Sequence, residues 1–131
     1  HTSVLMFIDI DNFKEVNDRF GHEVGDSLLV TVSQILHVAT RKTDTPARLG
    51  GDEFVILLPD TPDEEARQIA RRIMEAVSVM TVLPDNTLSL TLSIGIARAT
   101  TNMLSSTDWL KAADDALYQA KREGKNRIYA H

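Results

Sequence analysis

The sequence contains no cysteine, no long hydrophobic run and no excess of basic residues. Without Cys the chain forms no disulfide or thiolate metal site, and a reducing, cytoplasmic location is expected. The longest apolar runs, residues 4–8 and 54–58, are far shorter than the ~20 residues of a membrane helix, so no membrane insertion is expected. Lys and Arg number 14 against 19 Asp and Glu, and this net charge of −5 argues against binding to nucleic acid polymers.

The 131 residues fit a single domain, without an internal repeat, low-complexity tract or linker. The start, His1-Thr2-Ser3, leads directly into an apolar run and does not have the form of a signal peptide. We therefore expect sensor or linker segments upstream, in a protein that could be attached to a membrane through them.

The first half of the chain predicts a strand, two helices and a hairpin. The short apolar run 4–8 predicts a strand buried on both faces. Asp11 or Asn12 is expected to cap the next helix, and the turn at Gly21 separates it from a second helix. The glycine pair Gly50-Gly51 predicts a tight hairpin between two strands. The apolar faces of the two helices are Phe13, Val16 and Phe20, and Val24, Leu28, Val32, Ile35 and Leu36.

The second half predicts a helix, a strand, a helix and a short closing strand. Thr61 is expected as the N-cap and Pro62 as the first residue of a helix that ends near Val79. Alternating apolar residues over 88–96 predict a strand with one covered face. A last helix, about 107–123, presents Leu110 with other apolar residues and ends at Gly124, and residues 126–129 add a strand. The order predicts an α+β fold with helices on a mainly antiparallel sheet.

Two acidic pairs stand out chemically. Asp9 and Asp11 end the first strand, and a carboxylate at the end of a buried strand needs a partner such as a divalent cation. Asp52 and Glu53 follow the glycine turn, where a ligand can approach the backbone closely. Either pair alone is explained by helix capping or a solvated hairpin tip. Together they are typical of metal-assisted phosphoryl transfer, which needs hard oxygen ligands from separate elements.

Two further polar residues admit structural and functional explanations. Asn17 is an amide on the apolar stripe of the first helix, where it is either a satisfied core amide or a ligand-recognition group. Asp26 lies early in the second helix, where the helix dipole alone would favour a carboxylate.

The two motifs that contain these residues resemble the GGDEF diguanylate cyclase family. They are Ile8-Asp9-Ile10-Asp11-Asn12-Phe13-Lys14-Glu15-Val16-Asn17-Asp18-Arg19-Phe20-Gly21-His22-Glu23-Val24-Gly25-Asp26 and Arg48-Leu49-Gly50-Gly51-Asp52-Glu53-Phe54, and residues 93–96 and 113–121 also fit. The resemblance covers essentially the whole chain. It implies a nucleotidyl cyclase or polymerase palm-like fold with the active site on the β-hairpin. The helix and turn that open the family's domain would precede His1.

The resemblance implies magnesium or manganese bound by Asp9, Asp52 and the carbonyl of Ile10. Glu53 would be a catalytic carboxylate, either as a metal ligand or as a proton acceptor. The implied GTP-binding residues are Phe13, Lys14, Asn17, Asp26, Lys121 and Lys125. The family often has Arg at the position of Lys125. Arg41, Asp44 and Arg72 match an inhibitory site for the product.

The implied reaction condenses two GTP molecules into cyclic di-GMP and two pyrophosphates. Each 3′-hydroxyl attacks the α-phosphate of the other nucleotide, so two sites must face each other in a homodimer. Cyclic di-GMP would also be an inhibitor. Two alternatives are a catalytically silent domain that binds GTP or cyclic di-GMP, and a related cyclase for another base.

Overall fold

A seven-residue buried strand lies at the centre of the molecule. The structure is a computed structural model that describes residues 3–85, 87–99 and 105–130; His1 and Thr2, part of the chain start discussed above, lie outside these ranges. In chain order the elements are β1 (Val4–Ile10), α1 (Phe13–Phe20), α2 (His22–Ala39), β2 (Thr45–Gly50), β3 (Glu53–Leu58), α3 (Asp63–Ser78), β4 (Leu92–Arg98), α4 (Ser106–Arg122) and β5 (Arg127–Ala130).

The strands form one sheet in the order β2-β3-β1-β4-β5. The pairs β2/β3, β3/β1 and β1/β4 are antiparallel, and β4/β5 is parallel. Every residue of β1 is buried, as its continuous apolar run predicts. The predicted α+β fold with a mainly antiparallel sheet is confirmed.

Helices cover the two faces of the sheet. Alternate residues of β1, from Val4 to Ile10, pack with α1, α2 and α3 in the larger core. Leu5 and Phe7 point to the opposite face and pack with α4 in a smaller core. Asp9 follows the same alternation, so its side chain lies on the α4 face. The chemistry-bearing residues at the end of β1 are therefore next to α4.

Strand β4 corrects one sequence prediction. It begins at Leu92 rather than Leu88, since its pairing with β1 stops where β1 ends, at Ile10 opposite Leu92. Both faces of β4 are buried, because α4 covers the face that carries the small residues. Gly95 permits this close approach: a Cβ there would lie 2.7 Å from the backbone of Ala113 and Ala116.

Two helix predictions were also wrong in detail. Thr61 is not the N-cap of α3; Pro62 precedes the helix, and the buried Thr61 hydroxyl donates to the Pro59 carbonyl instead. Leu110 is 44% exposed, because the buried stripe of α4 runs through alanines and Leu117. Helix α4 ends at Arg122, and Gly124, with a φ of +123°, turns the chain away from the helix axis as predicted.

In the described part of the chain, none of the helices is both long and apolar enough to cross a bilayer.

Candidate active site

Asp9 lies buried at the end of β1 between two neighbouring strands. Its Cα pairs with Glu53 on β3 and with Ser93 on β4. Because opposite residues of antiparallel strands share a face, the three side chains lie on the α4 side of the sheet. One Asp9 oxygen, Oδ2, forms an ion pair with Lys121 of α4. The other, Oδ1, is buried and has no hydrogen-bond partner among the described residues.

The glycine hairpin holds two further carboxylates beside Asp9. Gly51 has a φ of +53°, a left-handed conformation that the turn requires and that glycine adopts without strain. Asp52 and Glu53 follow it, both half-buried. The Asp52 carbonyl accepts a hydrogen bond from the Ile10 N–H, at 3.3 Å. The two acidic pairs predicted from the sequence therefore meet at one end of the β1/β3 ladder.

These groups fit a hard divalent cation. Asp9 Oδ1 is an unpartnered buried oxygen, which is costly unless a cation or donor approaches it. Within residues 3–85, 87–99 and 105–130, no three His, Asp or Glu side chains converge on one point. A site here would use few carboxylates and complete its ligand shell with a carbonyl, waters and substrate phosphates, which is usual for magnesium.

Two lysines lie where α4 leads into β5. Lys121 contacts Asp9, and Lys125 Nζ donates to Asn12 Oδ1 at 3.2 Å. Burial, and to a lesser degree repulsion from Lys125, holds the pKa of Lys121 below its ordinary value. Two ammonium groups are thus held near each other, in a place where a polyphosphate would neutralise both. Lys14, the third predicted phosphate contact, is exposed on α1.

Asn17 and Phe13 of α1 face the start of α2. Both approach Gly25, and a Cβ at that position would fall on Asn17 Oδ1 and lie 3.4 Å from Phe13 Cζ. The missing Cβ of Gly25 therefore makes the space that Asn17 occupies. Asp26 is exposed and lines a shallow cavity of about 360 Å³ together with Arg48 of β2. Asn17 and Asp26 are thus on adjacent sides of the α1–α2 junction.

The Asp11 side chain does not cap helix α1 as predicted, and it makes other contacts instead. Neither Asp11 nor Asn12 caps α1 with its side chain. Instead Asp11 is 2% exposed, and its carboxylate accepts from Thr91 Oγ1 and Ser93 Oγ, both at 2.7 Å, and from the Asn126 N–H at 3.0 Å. The carboxylate therefore links three separate segments of the chain.

Arg41 and Asp44 form an ion pair at the C-terminal end of α2. Two Asp44 oxygens accept from the Arg41 guanidinium, at 2.8 and 3.1 Å, and from its backbone N–H at 2.8 Å. The Asp44 side chain is 0% exposed, whereas that of Arg41 is 39% exposed. Burial raises the pKa of Asp44, but the hydrogen bonds from Arg41 outweigh it and hold that pKa below its ordinary value. Arg72 of α3 reaches the same end of α2 and donates to the Ala39 carbonyl at 3.3 Å.

Two residues have supporting roles that were not predicted from the sequence, one at the glycine turn and one beside Arg41. Arg48 donates from Nε and a terminal nitrogen to the Gly51 carbonyl, at 3.0 and 2.7 Å, and so holds the glycine turn. Thr61 accepts from Arg41 at 2.5 Å and extends the Arg41 contacts to α3. The position of Arg48, just before the turn, was visible in the sequence. The contact of Thr61 with Arg41 was not, since it joins distant segments.

Comparison with known proteins finds relatives that belong to one family. A family model described as diguanylate cyclase, GGDEF domain, matches residues 1–127. Diguanylate cyclase DgcM of Escherichia coli is 43% identical over 126 residues, which are 96% of this chain and 30% of that protein. The chain spans about a third of the length of the curated relatives that it matches.

Solved structures agree. The GGDEF domain of PA1120 (YfiN or TpbB) from Pseudomonas aeruginosa superposes with a TM-score of 0.91 at 37% identity, covering 98% of this chain and 81% of that one. The GGDEF domain of DgcB from Caulobacter crescentus, solved in complex with c-di-GMP, has a TM-score of 0.90 at 30% identity and covers 98% and 77% of the two chains.

Proposed function

Because the chain belongs to the diguanylate cyclase GGDEF domain family, we propose that it condenses two GTP molecules into cyclic di-GMP and two pyrophosphates. The observation that carries this proposal is the unpartnered oxygen of Asp9, buried beside the glycine hairpin that bears Asp52 and Glu53. A buried carboxylate oxygen without a hydrogen-bond donor is better explained by a ligand that it binds than by packing.

Asp9, Asp52 and the Ile10 carbonyl would hold the divalent cation. When bound, the cation would lower the pKa of the attacking 3′-hydroxyl and neutralise charge that develops on the phosphates. The chain's own contribution is to fix these oxygens at the end of a buried ladder, where the Ile10 N–H already ties the hairpin to β1. Glu53 pairs with Asp9 in the β1/β3 ladder and would be a catalytic carboxylate beside the cation, either as a metal ligand or as a proton acceptor.

Three lysines would bind the phosphates. Lys121 and Lys125 lie together at the end of α4, and Lys14 is exposed on α1 near the end of β1. Lys121 pairs with Asp9 in the structure, so it would exchange this carboxylate for a phosphate oxygen when GTP binds. Such an exchange keeps both Asp9 and Lys121 neutralised at each stage, which limits the cost of burying them.

Asn17 and Asp26 would select guanine. The guanine edge presents N1–H and N2–H₂ as adjacent donors, which the Asp26 carboxylate accepts together. Adenine presents an acceptor at N1 and would leave the carboxylate facing a lone pair. Sites built on such pairing reject the wrong base by orders of magnitude.

Two copies of the chain must meet for the reaction. One site presents one nucleotide, and cyclic di-GMP contains two equivalent bonds, so two sites have to face each other across a two-fold axis. The rate of synthesis should then rise more steeply than linearly with protein concentration, at concentrations where most of the protein is monomeric.

Cyclic di-GMP would also inhibit the enzyme at Arg41, Asp44 and Arg72. The exposed parts of the two guanidinium groups lie at the same end of α2 and offer donors to the phosphates of the product. Asp44 is fully engaged by Arg41, so it would accept the guanine donors only after exchanging Arg41 for them. Inhibition at this place would be non-competitive with GTP.

The test is incubation of the chain with GTP and magnesium, followed by mass spectrometry of the products. Asp52→Ala is the control variant, since it removes one proposed metal ligand from a half-buried position at the hairpin turn, outside the hydrophobic core. We expect cyclic di-GMP from the wild type and none from the variant. GTP binding without any product, at protein concentrations that permit dimers, would refute catalysis and leave a binding domain. Equal turnover of ATP would refute guanine selection.

A further inference from the structure

We propose that Asp11 is a positioning residue for the nucleotide phosphates: its buried carboxylate fixes the turn after α4 and thereby holds Lys125 at the active site. The proposal rests on the phosphate-binding role of Lys125 proposed above. It gives a function to a buried carboxylate that neither the metal site nor a helix cap employs.

The turn that carries Lys125 has an unusual backbone. Gly124, Lys125 and Asn126 have φ values of +123°, +64° and +48°. Left-handed conformations in consecutive residues other than glycine are unfavourable unless neighbouring contacts hold them. The Lys125 N–H donates to the Ala120 carbonyl at 3.0 Å, which closes the end of α4. This bond fixes the start of the turn but not its exit.

Asp11 fixes the exit. Its Oδ2 accepts from the Asn126 N–H at 3.0 Å, directly after Lys125. The same oxygen accepts from Thr91 Oγ1, while Oδ1 accepts from Ser93 Oγ, so both oxygens are held by β4 and the segment before it. The Asp11 N–H also donates to the Thr91 carbonyl at 3.0 Å. The carboxylate therefore cannot rotate away from the turn without losing a hydrogen bond in a buried place.

The position of Lys125 follows from this anchor. With its flanking N–H groups tied to Ala120 and Asp11, the Lys125 side chain leaves the turn towards α1, where its Nζ meets Asn12 Oδ1 at 3.2 Å. Asn12 follows Asp11 in the chain, so one short segment holds both the backbone and the ammonium of Lys125. Lys121, one turn earlier on α4, contacts Asp9. The ammonium groups of Lys121 and Lys125 are therefore both held in place by residues at the end of β1.

Replacement of Asp11 by alanine removes the anchor, whereas replacement by asparagine keeps it. A carboxylate offers acceptors to all three donors, and an amide of the same shape offers one acceptor and one NH₂ group. In Asp11→Asn the NH₂ group can face the Ser93 hydroxyl, which rotates to accept, while the amide oxygen keeps Thr91 and the Asn126 N–H. Asp11→Asn is therefore the matched control for Asp11→Ala.

The experiment compares the affinities of the variant for GTP and for guanosine, both measured with magnesium present. Guanosine carries the base and ribose without phosphates. For Asp11→Ala we expect GTP affinity to fall by about tenfold, as when a charge-assisted contact is lost, with guanosine affinity unchanged within twofold. Lys125→Ala should show the same pattern, whereas Asp11→Asn should keep both affinities within about twofold of the wild type. Combining Asp11→Ala with Lys125→Ala should add less than twofold to the larger loss, because both act on one contact.

A control variant separates positioning from general loosening of the fold. Trp109→Phe removes the hydrogen bond to the Ala97 carbonyl at the far end of α4, and should lower thermal stability without changing the ratio of GTP to guanosine affinity. Ser93→Ala is a milder variant to use if Asp11→Ala does not fold, since it frees one oxygen of Asp11 and leaves the other bound. It should lower GTP affinity by about threefold, again without an effect on guanosine.

The amide of Asn126 gives a readout that does not depend on nucleotide. In Asp11→Ala its hydrogen exchange should accelerate by at least about tenfold relative to that of the β5 amides, because its acceptor is gone. Equal losses of GTP and guanosine affinity, additive effects of Asp11→Ala and Lys125→Ala, or unchanged exchange at Asn126 in Asp11→Ala would each overturn the proposal. If wild type and Lys125→Ala bind GTP equally while exchange at Asn126 responds, the phosphate role of Lys125 fails and the anchor stands.

Discussion

The two glycines that lack a positive φ, Gly25 and Gly95, should respond to alanine in opposite ways. At Gly95 the added methyl meets main-chain atoms of α4: the carbonyl oxygen of Ala113 and the carbonyl carbon of Ala116 at 2.7 Å, and the nitrogen of Leu117 closer still. Main-chain atoms cannot rotate away. The helix would have to retreat from β4 by about 1 Å before ordinary van der Waals contact returned.

That retreat opens the smaller core between α4 and the sheet. Overpacking of this kind costs about 3 kcal/mol at the upper end of its usual range, and lost contacts of Leu5, Phe7 and Leu117 act in the same direction. For a domain of this size we expect the Tm of Gly95→Ala to fall by roughly 10 °C. Lys121 moves with α4, so its contact with Asp9 should weaken as well.

At Gly25 the added methyl meets a side chain instead. It would fall on Asn17 Oδ1, the far end of a half-buried side chain on α1 that can rotate, unlike the main-chain atoms at Gly95. Ala also has a higher helix propensity than Gly, by about 1 kcal/mol. Gly25→Ala should therefore keep the wild-type stability within about 1 kcal/mol, but lose GTP affinity by at least about tenfold because Asn17 no longer occupies its place.

Urea unfolding followed by circular dichroism gives the free energies, and calorimetric titration of GTP gives the affinities. The two variants serve as controls for each other, since both add one methyl group to a buried glycine. If Gly95→Ala unfolds at the wild-type urea midpoint, the close packing of α4 on β4 is not as described. If Gly25→Ala binds GTP like the wild type, Asn17 has no part in nucleotide binding.

Four other variants test recognition, inhibition and acid stability. Asp26→Asn should lower the preference for GTP over ATP at least about tenfold in competition binding, because an amide opposes one guanine donor with another donor; an unchanged preference would remove Asp26 from base selection. Arg72→Ala should weaken inhibition by cyclic di-GMP in initial-rate titrations without changing stability, whereas Arg41→Ala should also cost about 2 kcal/mol by leaving Asp44 buried without its partner; identical inhibition curves for Arg72→Ala and wild type would contradict the assignment. Asp44 has a folded-state pKa below its ordinary 3.8, so it stabilises the fold above that pH, and this stabilisation is lost as the pH falls through the lower, folded-state value. The difference in unfolding free energy between wild type and Asp44→Asn should therefore be constant at neutral pH and shrink below about pH 4, and a constant difference down to pH 2 would refute it.

Much of the fold could be predicted from local patterns. The continuous apolar run of β1, the glycine pair before Asp52 and the glycine after α4 each impose a backbone conformation that depends on neighbours in the chain. The errors arose where contacts between distant segments decided the outcome. The alternation at 88–91 has the form of a strand, but β1 provides no partner beyond Ile10.

In the candidate site, too, some residues could be predicted from local patterns and others depend on distant contacts. The identities of Asp9, Asp52 and Glu53 and their nearness to one hairpin followed from the sequence motifs, because carboxylates beside a strand end and a glycine turn are chemically conspicuous. The role of Asp11 did not, since its three donors come from residues that are 80 or more positions away. A capping role explained Asp11 from the sequence equally well, and only the packing of β4 and the α4–β5 turn against it excluded that role.

The order of the elements, the two acidic pairs and the family resemblance can be recognised from short-range patterns of polarity and glycine along the chain. Which charges are partnered depends on tertiary contacts. Asp9 has one oxygen without a partner among the described residues, Asp44 is paired with Arg41, and Asp11 accepts from three donors. Burial and hydrogen bonding depend on which segments the sheet brings together, and three carboxylates of the same type acquire three different roles for that reason.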